Sequence, residues 1–240
     1  MQVVYQRCCG LDVHKKKIVA CVITPEGKEL QTFGTMTEDL KSLVKWLQSK
    51  ECPIVAMEST GVYWKPVYNL LELFGIEAWV VNAQHIKMVP GRKTDVKDAE
   101  WIASLMRHGL LKRSFIPDRP QRELRELLRY RKSMIDERSR ELNRMQKVLE
   151  GANIKLASVA SDILGVSSRK MIESIIEGQS TPEELAQHAK GRMKAKKDKL
   201  AKALDGLVGP HQQMMLSEQL KHLDYLDEQI KRLDHAVARK

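Results

Sequence analysis

The sequence predicts a mixed α/β layer followed by an all-α region. Three observations carry this. Short Val-, Ile- and Cys-rich runs, each of strand length, open the chain and alternate with amphipathic helical stretches up to about residue 110. Beyond Pro117 the strand-like runs stop, and Pro120–Glu150 holds neither Pro nor Gly in its interior. Charge and aromatics divide at the same place. Residues 1–110 carry 14 basic and 12 acidic side chains, residues 111–240 carry 27 and 19, and ten of the twelve aromatics lie at or before Phe115. We therefore expect two domains, 1–116 and 117–240.

The elements follow in order. Val3–Val13 and Lys17–Thr24 read as strands, and Pro25-Glu26-Gly27-Lys28 has the composition of a tight turn into a third strand, Glu29–Gly34. This opening reads as an antiparallel meander. Thr37 is placed to cap a helix whose Leu40, Leu43, Val44 and Leu47 share one face. Ile54–Met57 is a short buried strand. Val62–Gly75 reads as a helix with Pro66 in its first turn and Gly75 as its stop. Glu77–Val81 is a further strand, and helices are expected over Gln84–Val89 and Thr94–His108. In the second region a long helix is expected over Pro120–Glu150, with an apolar stripe through Leu124, Leu127, Leu128, Ile135, Leu142, Met145 and Leu149. A strict heptad seam does not hold along it, so it reads as helical-hairpin or coiled-coil material. Shorter helices are expected over Ser167–Glu177, Thr181–Ala189 and Lys194–Leu207. Thr181-Pro182-Glu183-Glu184 combines a cap, Pro at the first helical position and first-turn acids. A last helix, about His211–Arg239, has apolar positions suited to packing lengthwise on another, and it runs to the chain end without a stop signal.

Composition bounds the function. With 42% apolar and 30% charged residues, the 240-residue chain is not a disordered tail, a collagen or a disulfide mini-protein. No apolar run reaches the ~18 residues of a membrane span, and Gln2, Gln6 and Arg7 interrupt any signal-peptide core. Cys8, Cys9, Cys21 and Cys52 form no C-x-x-C pair and read as buried small hydrophobes in a reducing cytoplasm. The net charge of +10 points to a polyanionic partner.

Four acids stand apart. Asp12 lies within the first apolar strand, where an uncompensated charge is expensive. Glu58 ends the run Ile54–Met57. Asp95 and Asp98, three apart, share one face of a helix. Each alone has an ordinary explanation: a strand end, a capped turn, acids favoured by a helix dipole. Together they form a carboxylate cluster that only a divalent cation makes favourable, and hard oxygen ligands suit Mg²⁺ or Mn²⁺. Two such ions can clamp a phosphodiester.

Gly10-Leu11-Asp12-Val13-His14-Lys15-Lys16, Met57-Glu58-Ser59-Thr60-Gly61-Val62-Tyr63-Trp64 and Lys93-Thr94-Asp95-Val96-Lys97-Asp98-Ala99 resemble the three motifs of the DEDD transposases. This insertion-sequence family is related to the Piv-type DNA invertases and includes bridge-RNA-guided recombinases. Val81-Asn82-Ala83 also fits, and the stretches Gly165–Gly178 and Thr181–Leu207 carry the resemblance into the helical region. It implies a ribonuclease-H-like (RuvC-like) mixed sheet flanked by helices, followed by an all-α helical or coiled-coil domain. Asp12, Glu58, Asp95 and Asp98 would be catalytic and would bind Mg²⁺, with Mn²⁺ a substitute. The implied partners are donor and target DNA, a guide (bridge) RNA and further copies of the chain as a dimer or tetramer, in a prokaryotic, nucleoid-associated, cytoplasmic setting with no membrane. The family's nucleophilic serine, on a C-terminal domain, maps to no position here, so we expect this chain to end before that domain.

Other residues keep two readings each. Lys15-Lys16-Lys17 is a solvated turn or a phosphate contact. Arg92 and Lys93 precede the helix of the acid pair, where backbone donors favour phosphate. Arg119, Arg122, Arg125, Arg129, Arg131 and Lys132, interleaved with Glu123 and Glu126, form an ion-paired face or a phosphate track. Lys190–Lys202, with six Lys and one Arg against one Asp, is similar. Thr60, Tyr63 and Trp64 pack in the core or stack on an unpaired base. His14 is a surface histidine or touches substrate beside Asp12. The alternative to a metal-dependent recombinase is a non-catalytic RNA- or DNA-binding and oligomerisation module. Phosphoryl transfer from ATP would need Gly-rich phosphate loops, which the sequence lacks.

Overall fold

The computed structural model describes residues 2–59, 61–84, 98–178 and 180–240. The chain divides into two compact units, Met1–Pro117 and Asp118–Lys240.

The first unit is built on β1 (Cys8–Val13), β2 (Ile18–Thr24) and β3 (Gly27–Phe33), then α1 (Thr37–Ser49), β4 (Ile54–Glu58), α2 (Trp64–Leu73), β5 (Glu77–Val81) and α3 (Asp98–Arg107). The sheet order is β3-β2-β1-β4-β5. β1 to β3 form the expected antiparallel meander, while β1, β4 and β5 run parallel. Parallel neighbours need crossovers, and α1 and α2 supply them. This mixed sheet with flanking helices is consistent with a ribonuclease-H-like α/β fold.

Side-chain alternation sorts the sheet into two faces. Cys9, Leu11 and Val13 of β1, with Val55 and Met57 of β4, pack against Leu40, Leu43 and Leu47 of α1 and Val67 and Leu71 of α2. Cys8, Cys21, Ile54, Ala56 and Val81 face the other way, against Ala99, Ile102, Ala103 and Met106 of α3. β1 and β4 are covered on both sides, which explains their unbroken apolar runs. β3 is one of the two edge strands and is exposed except for Phe33.

Local boundaries differ from the sequence expectation in instructive ways. β1 begins at Cys8 rather than Val3, because Val3 and Val4 are exposed and Val4 instead bonds its N–H to the Arg107 carbonyl after α3. Thr37 is the first helical residue of α1 rather than its cap: the Asp39 carboxylate reaches back to accept the Met36 N–H at 3.1 Å. Of the helix expected over Gln84–Val89 only Gln84 is among the described residues, and the start of Thr94–His108 lies outside them.

All four cysteines are buried free thiols. Burial pushes the thiols of Cys8 and Cys21 up from 9.0 to about 11 and that of Cys52 to about 12. The folded state therefore holds its thiol protons more tightly than the unfolded chain does. Below pH 9 that contribution is fully present, and it is lost as pH rises from 9 through 11 to 12. We expect the melting temperature to fall steeply from pH 9 to 11. We also expect the thiols to resist alkylation at pH 8 until denaturant is added. Thiol titration with and without denaturant checks this; four fast-reacting thiols in the native protein would contradict it.

The second unit is helical: α4 (Arg119–Gly151), α5 (Leu156–Val159), α6 (Val166–Glu177), α7 (Pro182–Gln187), a 3₁₀ helix (Gly191–Lys196), α8 (Lys197–Leu204) and α9 (Pro210–Ala238). α4 starts where Asp118 caps it, accepting from the Gln121 N–H at 3.3 Å. Thr181 caps α7 as expected, and Glu184 reaches back to complete a capping box, with hydrogen bonds of 2.7 and 3.3 Å between the two residues. The single helix expected over Lys194–Leu207 is instead a 3₁₀ turn followed by α8, entered through Gly191 at φ +53°. α5 was not expected from the sequence; four residues are too few to show a period.

α4 and α9 lie antiparallel along one another. Arg131 pairs with Asp234, Arg138 with Asp227 at 2.5 and 3.2 Å, and Glu123 with Lys240 at 2.6 Å. Met145 and Leu149 of α4, Leu216, Leu220 and Leu223 of α9, and Met171, Ile172 and Ile175 of α6 form the core of this unit. Among the described residues, no helix is long and apolar enough to cross a membrane.

Candidate functional site

The site is set by strand register. In β1 the residues facing α3 are Cys8, Gly10 and Asp12, so Asp12 stands on the same sheet face as that helix. β4 runs parallel beside it with Leu11 opposite Met57, so Glu58 follows as the neighbour of Asp12 across the two strand ends. Ile54, Ala56 and Glu58 alternate onto the same face. Acids at the carboxyl ends of adjacent parallel strands are where open α/β sheets place their chemistry.

Asp98 reaches this place through a contact that Gly10 allows. A Cβ on Gly10 would lie 2.2 Å from the Ala99 carbonyl oxygen and 2.4 Å from the Ala103 nitrogen. The backbone of α3 therefore rests directly on β1, with Asp98 at the helix start next to Ala99. Asp12 and Asp98 line one cleft of about 410 Å³, together with His14, Lys17, Gln31 and Thr32. A second tether holds α3 from the edge strand, where Lys28 of β3 pairs with Glu100.

Asp12 is about a quarter exposed and bonds through Oδ2 to Nε2 of His14 at 2.8 Å. His14 itself is mostly exposed, so with Nε2 protonated it donates to Asp12 while its other ring nitrogen stays available to the cleft. His14 is thus a surface histidine beside Asp12, lining the cleft. Lys15 and Lys16 are exposed in the turn that follows Asp12. Trp64 packs on the core and stacks edge-on against Tyr68 at 5.8 Å, whereas Tyr63 is exposed.

Of the residues singled out from the sequence, Asp12 and Asp98 line one cleft, and strand register puts Glu58 beside Asp12. Asp95, Thr60, Arg92 and Lys93 lie outside the described residues. Arg122, Arg125 and Arg129 belong to the second unit, on α4. Gly10 had a role that the sequence reading did not assign. The signal was there, since a glycine inside an otherwise apolar strand marks close backbone approach. Lys17, read from the sequence as a candidate phosphate contact, lines the cleft; Gln31 and Thr32 carried no such signal, because only the pairing of β2 with β3 places them beside the acids.

The donors assembled are carboxylate oxygens, the chemistry that Mg²⁺ and Mn²⁺ prefer. Among the described residues, no three His, Cys, Asp or Glu side chains are grouped closely enough to hold a metal as they stand.

A family model described as a transposase, of the DEDD type named for IS110, matches residues 9–154. The match takes in β1, β4 and α3 with their acids and continues along α4 to the start of the helical core. No curated protein matches the chain.

Proposed function

The chain belongs to the DEDD transposases of the IS110 type, and from that premise we propose that Asp12, Glu58, Asp95 and Asp98 form a Mg²⁺-binding tetrad that cleaves and exchanges DNA strands. The observation that carries the proposal is that Asp12 and Asp98 line one cleft, with Glu58 next to Asp12 by the parallel register of β1 and β4. Bound Mg²⁺ would neutralise the scissile phosphate and polarise it toward attack.

The chain's own residues do the rest. Asp12 and Glu58 are carried by paired strands, and Asp98 by the helix seated on Gly10. His14 orients Asp12 through its Nε2 hydrogen bond. Lys15 and Lys16 lie where a phosphate backbone entering the cleft would need cationic partners. In the exchange itself, an attacking hydroxyl oxygen bonds to phosphorus as the bond to the leaving oxygen breaks, and the leaving oxygen takes up a proton. The attacking group of the resemblance, a serine hydroxyl on a separate domain, would come to the acids from outside this unit.

The same reading extends to the family's finer properties: a RuvC-like version of the fold, a guide RNA that supplies sequence choice by base pairing, and assembly of several copies of the chain. Arg122, Arg125 and Arg129 on α4 are candidate contacts to nucleic-acid backbone within it.

Titration calorimetry with Mn²⁺ tests the tetrad apart from activity. We expect binding to the protein on duplex DNA, weakened at least about tenfold by Glu58→Gln, in line with loss of one ligand. Unchanged Mn²⁺ binding in that variant, with its melting temperature also unchanged, would overturn the metal assignment.

A further inference from the structure

We propose that the 3₁₀ helix and α8, residues 190–204, form a docking track for the phosphate backbone of duplex DNA. This rests on the transposase reading for the identity of the polyanion, but the surface lies in the second unit and includes none of the tetrad.

The argument begins with how cations are satisfied across the helical unit. On α4, α6 and α9 most have carboxylate partners: Arg138 with Asp227, Arg169 with Asp224 and Glu173, Arg232 with Glu228, and Lys221 with Glu218. Their charge is spent within the fold. The segment from 190 to 202 differs. Lys190, Arg192, Lys194, Lys196, Lys199 and Lys202 are all exposed, and among the described residues none of them pairs with a carboxylate. Lys196 donates only to the Val159 carbonyl, at 3.1 Å, and Lys197 to the Gln187 side chain, at 2.5 Å. Asp198 is the one acid in the stretch. The sequence left this run open between a solvated, ion-paired face and a phosphate track. Among the described residues this run is therefore solvated without carboxylate partners, which leaves its charge available to a phosphate backbone.

The backbone is also suited to it. Leu200, Ala203 and Leu204 are buried and Met193 packs on the same core, so the segment is anchored while its cations stay exposed. Six 3₁₀ residues at ~2.0 Å and eight α-helical residues at ~1.5 Å set an upper length of roughly 24 Å for the segment. That length spans roughly seven phosphates along one strand, at 3.4 Å of duplex axis each. The cations are mainly lysines, point charges rather than the bidentate forks that read bases. No Phe, Tyr or Trp lies between 190 and 204 to stack on an unpaired base. Both features favour a double helix gripped by its backbone over a single strand.

The test is the salt dependence of binding, measured by fluorescence anisotropy on the full chain. The probes are a labelled DNA duplex of arbitrary sequence, the matching RNA duplex and a DNA single strand. The fourfold variant R192Q/K194Q/K199Q/K202Q is compared with a control that removes four ion-paired cations, R119Q/R140Q/K221Q/R232Q. All eight side chains are on the surface, and circular dichroism verifies that both variants fold. For duplex DNA we expect the slope of log K against log salt to flatten by about 3–4 in the first variant and by less than about 1 in the control. An equal effect of the two variants, or a change below about 1 in the first, would overturn the track. A flattening seen with RNA duplex or single strand but not with DNA duplex would overturn its assignment to DNA. If the unaltered chain binds none of the probes even at low salt, the nucleic-acid reading itself fails. That outcome is distinct from a wild-type slope that the variant leaves unchanged.

Discussion

Replacing Asp12 with Asn in the transposase is expected to reduce DNA strand cleavage at least about a thousandfold while the protein melts within a few degrees of the unaltered chain. The two halves of this expectation have separate causes. Asn is nearly the same shape, and Asp12 is held in β1 by backbone pairing with Val19 of β2, which does not involve the carboxylate. The hydrogen bond from His14 can still be accepted by the Asn side-chain oxygen. Stability should therefore hardly change. Catalysis differs because the charge that would gather a divalent cation at the scissile phosphate is gone. A thousandfold is about 4 kcal/mol of transition-state stabilisation, within what one such group supplies. Asp98→Asn should fall equally far, and the double variant should be hardly worse than either, because groups acting as one unit are non-additive. His14→Ala isolates the positioning contact and should cost only about tenfold. Wild-type cleavage by the Asp12 variant would end the assignment. Equal collapse in the His14 variant would move the essential role from the carboxylate to the histidine.

How far the sequence anticipated this arrangement can be traced residue by residue. The acids of β1 and β4 were legible because a charge inside an apolar run is conspicuous and because the order of elements suggested a layered fold. Their adjacency was not legible. Nothing local states that β4 inserts beside β1 rather than beyond β3; that follows from crossovers through α1 and α2. The cap of α1 was misplaced by one residue. Thr37 has the right chemistry, but Asp39 three residues beyond Met36 competes for the same role, and Gly34 leaves the space its carboxylate occupies. The 3₁₀ turn at Gly191–Lys196 escaped because lysines carry no period, so the break in α-helical geometry is marked only by Gly191. The paired and unpaired cations of the helical unit looked alike in sequence. Which of them meet carboxylates depends on the register of α4 against α9, and that register is a tertiary fact.

Gly10→Ala is expected to be the most damaging single methyl group in the first unit. Glycines often matter because of backbone freedom, but Gly10 is not among the residues at positive φ, so alanine can adopt its conformation. The penalty is steric. The new methyl would meet the Ala99 carbonyl oxygen at 2.2 Å and the Ala103 nitrogen at 2.4 Å, and both belong to helix backbone that no rotamer change can move aside. The whole of α3 must lift from β1. That uncovers Cys8, Cys21, Ala56 and Val81 and loosens Ile102 and Met106. Overpacking costs about 1–3 kcal/mol where side chains can give way. With backbone on both sides we expect the upper end or more, a fall of roughly 10 °C in melting temperature. Activity should fall further than stability explains, because Asp98 rides on the displaced helix and catalytic groups tolerate little more than a fraction of an ångström. Gly151→Ala is the matched control: its added Cβ meets nothing within 4 Å, and it should be neutral or slightly stabilising. Calorimetric melting and strand cleavage at a temperature where both variants remain folded separate the two effects. If Gly10→Ala melts with the unaltered protein, α3 does not sit on β1 as described, and the route by which Asp98 reaches Asp12 fails with it.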